Sequence, residues 1–446
     1  MQFYLVGGAC RDILMGLEPK DYDFVVVGAS PQDMIDKGYK QVGKDFPVFL
    51  EPTHGWEVAL ARTERKTGIG YGGFETEWNG VTLEEDLARR DLTINSIAIE
   101  VDWDETVKFY FGKPVTKGIL IDPFYGEAGI VLKVLAPTTD AFEEDPLRVI
   151  RSSRFLARYE DFTASDELMR VSNKLSLQGN LDELTPERVW LEFEKVLGEK
   201  NPSRFFDFLS DIGWKGLPTC MYKMKAIREG NDHHPEPSIW DHTMQVVNHA
   251  AQTWGDPEVT FSCVTHDFGK PLCYSERDNG YGHEEEGLPF IEEWCERIRT
   301  PKRFKELALM VCKHHQKVHA CMGRGHNSWV RPKSIMKMFE ETAALSKPER
   351  FLKLLKACES DSKGRGLDES ETYEFTKEYF REVKLYPQRR YLEECLYAAI
   401  NVDTKQISSK MLEEGKKGTL IGEEIRVARI SAIRGVQNKW KNVTYQ

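Results

Sequence analysis

What this 446-residue chain lacks narrows it first. No uncharged apolar run comes near the roughly 18 residues that a membrane-spanning helix needs. The opening MQFYLVGGAC has neither a basic flank nor a small-residue cleavage pattern, so no cleaved leader is expected and the expected compartment is cytoplasmic. No two cysteines form a Cys-x-x-Cys pair. The nine that exist (Cys10, Cys220, Cys263, Cys273, Cys295, Cys312, Cys321, Cys358, Cys395) lie singly, which fits reduced thiols and argues against both a disulfide framework and a cysteine-held zinc. There is no internal repeat and no low-complexity tract. Positive charge is not in excess either: 61 Lys plus Arg face 72 Asp plus Glu, a net charge of −11. Taken alone, that balance argues against a polyanionic partner.

What is there is a globular composition, 40% hydrophobic and 30% charged, on a chain long enough for several domains of about 100–200 residues each. Residues 1–138 mix strand and helix signals. QFYLV is a short apolar strand, GGACRDILMG a short helix stopped by Gly16, and DYDFVVVG a β-branched strand. A strand pair follows around PVFLEP and WEVALAR, then a glycine-rich stretch KTGIGYGGFETEWNG that looks mobile. TLEEDLARRDLTINSIAIEV has a Thr-x-x-Glu cap and helical periodicity. From residue 139 the pattern is almost wholly helical, so the expected class is α+β, with a mixed-sheet head on an all-α remainder. The expected segments are 1–138, 139–228, 229–365 and 366–446.

Asp21 and Asp23 flank Tyr22 at a strand start, where a two-residue period points both carboxylates to one face. Two acceptor-only groups side by side repel unless a cation lies between them, and hard oxygen ligands suit Mg²⁺. Upstream, Gly7 and Gly8 let backbone N–H groups approach an anion, with Arg11 one turn into the helix. An isolated Asp-x-Asp is usually a solvated strand end. The three features together describe metal-assisted phosphoryl or nucleotidyl transfer.

In AFEEDPLRVIRSSRFLARY, Arg148, Arg151, Arg154 and Arg158 recur at helical spacing, a basic stripe suited to a polyphosphate or an RNA backbone. Asp145 and Arg148, three apart, can share a face. A carboxylate beside a guanidinium matches the amino group and ring nitrogen of cytosine or adenine, and leaves the Asp facing a carbonyl in guanine or uracil.

GGACRD, DYD, RRDLTIN, DPFYG, EDPLRVIRSSR and LTPERVW, in that order over the first half of the chain, resemble the bacterial CCA-adding enzymes, the class II tRNA nucleotidyltransferases. The likeness is to the gammaproteobacterial type that carries an appended HD phosphohydrolase domain. It implies a polymerase β-like head at 1–138, a base-recognising and RNA-binding neck at 139–228, an HD domain at 229–365 and a helical tail at 366–446. Asp21 and Asp23 would hold Mg²⁺ and be catalytic. Gly8, Arg11, Arg90, Arg151 and Arg154 would contact CTP or ATP, Asp91 would sit near the ribose, and Asp145 with Arg148 would be the template for C and A. Two departures stand out. Gly129 replaces an Asp usual after DP-x-x-G, and the segment before Asp122 is longer than usual.

In the second half, VTHDFGK places His266 beside Asp267, with His242 upstream and His283, His314, His315 and Asp361 downstream. Imidazoles mixed with carboxylates suit Ni²⁺ or another transition metal that activates water. The HD resemblance implies His242, His266, Asp267 and Asp361 as ligands, and leaves His283 with His314 or His315 for a second metal or a phosphate. The implied activities are phosphatase, 2′-nucleotidase and 2′,3′-cyclic phosphodiesterase. His249 and His319 are expected to be structural or exposed, and His233 and His234 to lie in a linker.

The function expected is addition and repair of the tRNA 3′-terminal CCA from CTP and ATP, with no membrane partner, in a monomer or a dimer. The alternative is an A-adding nucleotidyltransferase or poly(A) polymerase with the same head. A decayed RNA-binding scaffold and a chain with only the hydrolase alive are further rivals. The net charge does not oppose an RNA partner once divided. Residues 231–300 carry −10 of the −11, whereas residues 401–446 carry +4. Modest, salt-sensitive tRNA affinity is expected.

Overall fold

The computed structural model describes residues 1–42, 48–66, 74–108, 116–228, 236–323, 329–364 and 386–444. Most of the glycine-rich stretch (67–73) and the histidines at 233 and 234 lie outside the described residues. The fold divides into two compact units, Met1–Val189 with Phe208–Trp214, and Trp190–Asp207 with Lys215–Gln446.

The first unit is built on strands β1 (Gln2–Val6), β2 (Asp23–Val27), β3 (Lys40–Val42), β4 (Val48–Leu50), β5 (Glu57–Leu60), β6 (Thr63–Lys66), β7 (Phe74–Glu77), β8 (Ala98–Val101) and β9 (Thr116–Ile121). Seven of them form a mixed sheet in the order β3-β4-β5-β2-β1-β8-β9, with β2 and β5 parallel, and β6 and β7 pair separately. Alternation explains the layering. Phe3, Leu5, Phe24 and Val26 point into one core, whereas Tyr4, Val6 and Val25 point into the other. Both faces of the sheet are therefore covered.

Two sequence expectations need correcting here. The β2 ladder begins at Asp23, opposite Val6 of β1, so Asp21 lies two residues ahead of the strand. TLEEDLARRDLTINSIAIEV is not one helix. Thr82 and Glu85 do form a capping box, but the helix Leu83–Ala88 stops there, Thr93–Asn95 is a 3₁₀ turn, and Ala98–Val101 is β8. The alternating, β-branched SIAIEV pairs with β1, and tertiary pairing overrides the weak helical periodicity.

All described elements of the second unit are helical. Its helices end and begin on expected signals: Gly255 closes Ile239–Trp254 at φ 56°, then Asp256 caps and Pro257 opens Pro257–Thr265. Phe261 on that helix is fully buried and stacks on Trp294, with Phe193 and Phe304 at its edges. Truncating such a ring costs about 3–5 kcal/mol. The aromatic cluster thus fixes the helix whose C-terminal end carries His266. No helix among the described residues is long and apolar enough to cross a membrane. All nine cysteines are free and buried.

Candidate active site and candidate metal centre

In the first unit, β1 delivers the chain at Val6, opposite Asp23, directly into Gly7 and the helix Gly8–Leu14. Gly7 is favoured by its backbone conformation, and a side chain there would also displace the Arg90 guanidinium. Its φ is +69°, and a Cβ there would lie 2.9 Å from Arg90 Nη1. Asp21 and Asp23 are both exposed. Glu57 of β5 is Asp23's cross-strand partner, a third carboxylate that motif reading did not single out. Although Asp23 is exposed as a residue, partial desolvation of its carboxyl and then Glu57 raise its pKa, with Asp21 adding to them and Arg90 opposing. Excess negative charge facing solvent suits a hard divalent cation.

A continuous chain of hydrogen bonds runs from the helix Gly8–Leu14 to Arg151. Arg11, 5% exposed, donates from Nε and Nη2 to Asp12 Oδ1 (2.9 and 2.7 Å) and from Nη1 to Asn95 Oδ1 (2.6 Å). Asn95 Nδ2 donates to Asp91 Oδ1 (2.9 Å), which also accepts from Leu92 N (2.9 Å). Asp91 Oδ2 holds Arg151 through Nε and Nη2, both at 2.9 Å. Despite complete burial, Arg151, Asn95 and Leu92 bring the Asp91 pKa down to about 2. Its acceptor positions are filled, so Asp91, expected near the ribose, anchors Arg151 here. A bond to a ribose hydroxyl has to displace one of these donors. Arg90 pairs with Asp86 at 3.1 Å.

Arg148, Arg151, Arg154 and Arg158 share the partly exposed face of the helix Leu147–Arg158. Arg154 lies over the Phe155 ring and Arg158 over Tyr159. Asp145 and Arg148 each have a partner that helical spacing did not supply. Asp145 Oδ2 accepts from Arg188 Nη2 at 2.9 Å, while Arg148 Nη1 donates to Ala141 C=O at 2.6 Å. Arg188 lies in LTPERVW, 43 residues on from Asp145. Its signal was present in the motif, but helical spacing could not relate it to Asp145.

In the second unit, two groups of buried side chains converge: His242, His266 and Asp361, and Asp267, His283 and His315. Each imidazole is locked through Nδ1. His266 bonds Cys263 C=O (2.7 Å), His283 bonds Gly280 C=O (2.7 Å), His315 bonds Cys312 C=O (2.9 Å), and His242 faces Glu236 Oε1 (3.1 Å). The Nε2 atoms then point together, His283 to His315 at 3.0 Å and His242 to Asp361 Oδ1 at 3.1 Å. His266 Nε2 is buried 3.1 Å from Asp267 Oδ2, with no well-aligned hydrogen bond. Locked Nδ1–H donors with converging Nε2 lone pairs are what a transition-metal site requires, so these residues fit one. Burial depresses the His315 pKa to about 3, which keeps that imidazole neutral. Burial acts the same way on His242, but Asp361 and Glu236 overcome it and raise the pKa to about 9, so in the metal-free protein this imidazole is protonated and a bound cation has to displace its Nε2 proton. Gly269 permits the close approach: a Cβ there would meet His283 C=O at 2.1 Å.

Residues 3–135 match the poly A polymerase head domain family. The chain is 41% identical to the multifunctional CCA protein of Burkholderia vietnamiensis, over 97% of this chain and 98% of that one. It is also 41% identical to that of Burkholderia cenocepacia, with the same coverage. The chain belongs to the multifunctional CCA proteins. Its fold is similar to that of the Bacillus stearothermophilus CCA-adding enzyme in complex with CTP (TM-score 0.58, 18% identity, covering 97% of this chain and 89% of that one). A CCA-adding enzyme structure with ATP matches at the same TM-score.

In this member of the multifunctional CCA proteins, His315 and not His314 joins the converging group. His314 points elsewhere, 3.9 Å from Glu341. His319, expected to be structural or exposed, approaches Asp361 Oδ2 at 2.7 Å. His249 is partly buried against Ser360.

Proposed function

We propose that this chain adds and repairs the 3′-terminal CCA of tRNA, using CTP and ATP, and that its second unit is a metal-dependent phosphohydrolase. The parts proposed are a head at 1–138, a neck at 139–228, an HD domain at 229–365 and a tail at 366–446. The observation that carries the first activity is the pairing of Asp23 with the end of β1, which sets the Asp21, Asp23 and Glu57 carboxylates beside the Gly7–Gly8 helix start. In the reaction, the tRNA 3′-hydroxyl attacks the α-phosphate of the nucleotide and pyrophosphate leaves. Mg²⁺ held by Asp21 and Asp23 supplies charge neutralisation there when bound. Gly8 lets the backbone approach the phosphates. Arg90, Arg151 and Arg154 hold them, and the buried Arg11 braces this set through Asn95 and Asp91. Asp145, oriented by Arg188, acts with Arg148 to select C and A.

For the second activity, His242, His266, Asp267 and Asp361, with His283 and His315, would hold Ni²⁺ or another transition metal, which supplies a water nucleophile when bound. The reactions proposed are those of a phosphatase, a 2′-nucleotidase and a 2′,3′-cyclic phosphodiesterase. Lys270, 2.9 Å from Asp267 and buried, adds positive charge for a phosphate.

The deciding experiment incubates tRNA lacking its CCA with CTP, ATP and Mg²⁺ and sequences the 3′ ends. Full CCA ends are expected, and an Asp21→Ala protein that still extends the tRNA sinks the assignment. The same products test the restricted alternative. A Cβ at Gly129 would lie 3.2 Å from Ile94 Cγ2 and Val134 C=O, so a side chain at 129 has to move the Thr93–Asn95 turn or the Val134 backbone by a few tenths of an ångström. Products ending after two C residues, or carrying A alone, favour that narrower enzyme.

A further inference from the structure

We propose that His319, oriented by Tyr386, is a positioning residue that fixes Asp361 as a one-oxygen ligand of the metal centre. The inference rests on the metal-centre reading above and adds to it a device outside the ligand set. Asp361 is buried, and its two oxygens have different surroundings. Oδ1 faces His242 Nε2 at 3.1 Å and His266 Nε2 at 3.8 Å. Oδ2 takes His319 Nε2 at 2.7 Å. His319 in turn places Nδ1 2.9 Å from the Tyr386 hydroxyl.

The proton inventory fixes the direction of this chain. A carboxylate only accepts, so His319 Nε2 must carry the proton. In the neutral imidazole Nδ1 is then an acceptor, and the tyrosine O–H donates to it. Tyr386 therefore selects the tautomer of His319, and His319 occupies the oxygen of Asp361 that the cluster does not use. The ligand imidazoles are each locked by their own Nδ1 bonds, whereas a carboxylate has no such internal lock and needs an outside donor. The donor comes from remote chain: His319 ends the helix Lys302–His319, and Tyr386 precedes the helix Pro387–Ile400. Tyr386 is buried with φ +34°, a left-handed backbone that a bulky residue adopts only when its surroundings enforce it.

The test uses the full chain, stripped of metal and titrated with Co²⁺, reading affinity and the visible absorption bands that report coordination geometry. His319→Ala is expected to bind Co²⁺ about 10–100-fold more weakly with altered bands. His319→Gln, whose amide N–H can still donate to Oδ2, should recover most of that loss. Tyr386→Phe, nearly isosteric, should fall between wild type and His319→Ala. Nucleotide addition by each variant, unchanged, reports that the chain is folded. If Asp361→Ala loses Co²⁺ but His319→Ala and Tyr386→Phe bind it as wild type does, the positioning role is overturned and the metal centre stands. If Asp361→Ala itself binds Co²⁺ normally, the metal-centre reading fails instead.

Discussion

The two units treat their carboxylates in opposite ways. In the first, Asp86, Asp91 and Asp145 are each satisfied by arginines, while Asp21 and Asp23 face solvent with no hydrogen bond or ion pair among the described residues. In the second, Asp267 and Asp361 are buried among imidazoles whose Nε2 atoms converge on them. Open, mutually repelling oxygens suit a hard ion that arrives with a nucleotide and leaves with pyrophosphate. Buried, tautomer-locked ligands suit a resident ion whose binding is part of folding. One chain thus presents two kinds of candidate metal site, told apart by how much of each side chain's hydrogen-bonding capacity is already used.

The strongest way to break this contrast is at Asp23. Asp23→Asn should reduce nucleotide addition on the order of 10³-fold, since metal-borne charge stabilisation is worth several kcal/mol. Its effect on stability should have the other sign. The folded-state pKa of Asp23 is raised, so the stability linked to its proton is full below the unfolded carboxylate pKa and is lost as pH rises through the folded value. At pH 7 without metal, the neutral asparagine should therefore melt no lower than wild type. A drop in Tm would mean that Asp23 holds structure and that the first unit's carboxylates are not left open for an ion.

The second unit should respond oppositely to its metal. After chelation, Co²⁺ at about a hundred times its Kd should stabilise the chain by about 2.7 kcal/mol, read as a shift in the calorimetric transition of the second unit. His266→Ala should abolish both this shift and phosphoester hydrolysis. An equal Co²⁺ shift in that variant would remove the cluster from the metal-binding reading.

How much of this was legible in the sequence depends on the range of the contact. The mixed-sheet head, the strands at Phe24 and Val58, the capping box at Thr82 and the adjacent His266–Asp267 were all readable, because alternation, caps and neighbours are local signals. Pairings across the chain were not. Glu57 beside Asp23, Arg188 on Asp145 and His319 on Asp361 join residues 34, 43 and 42 positions apart, and nothing in helical or strand periodicity relates them. SIAIEV misled for a related reason: its strand identity comes from pairing with β1.

Asp91 offers a smaller effect within the first unit. Its pKa falls from 3.8 to about 2 in the fold, so its contribution is complete above the unfolded value and is lost as pH falls from about 4 towards 2. That amounts to about 2 kcal/mol. Acid unfolding of wild type should show this component, and Asp91→Asn should lack it. If both unfold with the same acid midpoint, the Asp91–Arg151 pair is not satisfied in the way proposed and the first unit's internal and open carboxylates lose their distinction.

The least effect, and the finest test, concerns Asp145, the acid proposed to read the base. Asp145 is half-exposed and paired with a half-exposed Arg188, so the pair contributes little to stability, about 1 kcal/mol or less. Its consequence lies in geometry. Oδ2 is held by Arg188 and Oδ1 accepts from Leu147 N at 3.2 Å, which leaves each oxygen one lone pair and fixes the plane in which a cytosine or adenine amino group can approach. Arg188→Ala should therefore leave Tm nearly unchanged and lower selectivity for CTP and ATP over GTP and UTP by about tenfold, the loss of roughly one oriented hydrogen bond. The measurement is kcat/KM for each nucleotide on tRNA lacking its CCA. Asp145→Ala should relax selectivity at least as far, and the double variant should add little to Asp145→Ala, because Arg188 acts only through the carboxylate it holds. If the two losses simply add, Arg188 contacts the nucleotide or the RNA directly, and the first unit's satisfied carboxylates do not share one role as fixed supports for the arginines around them.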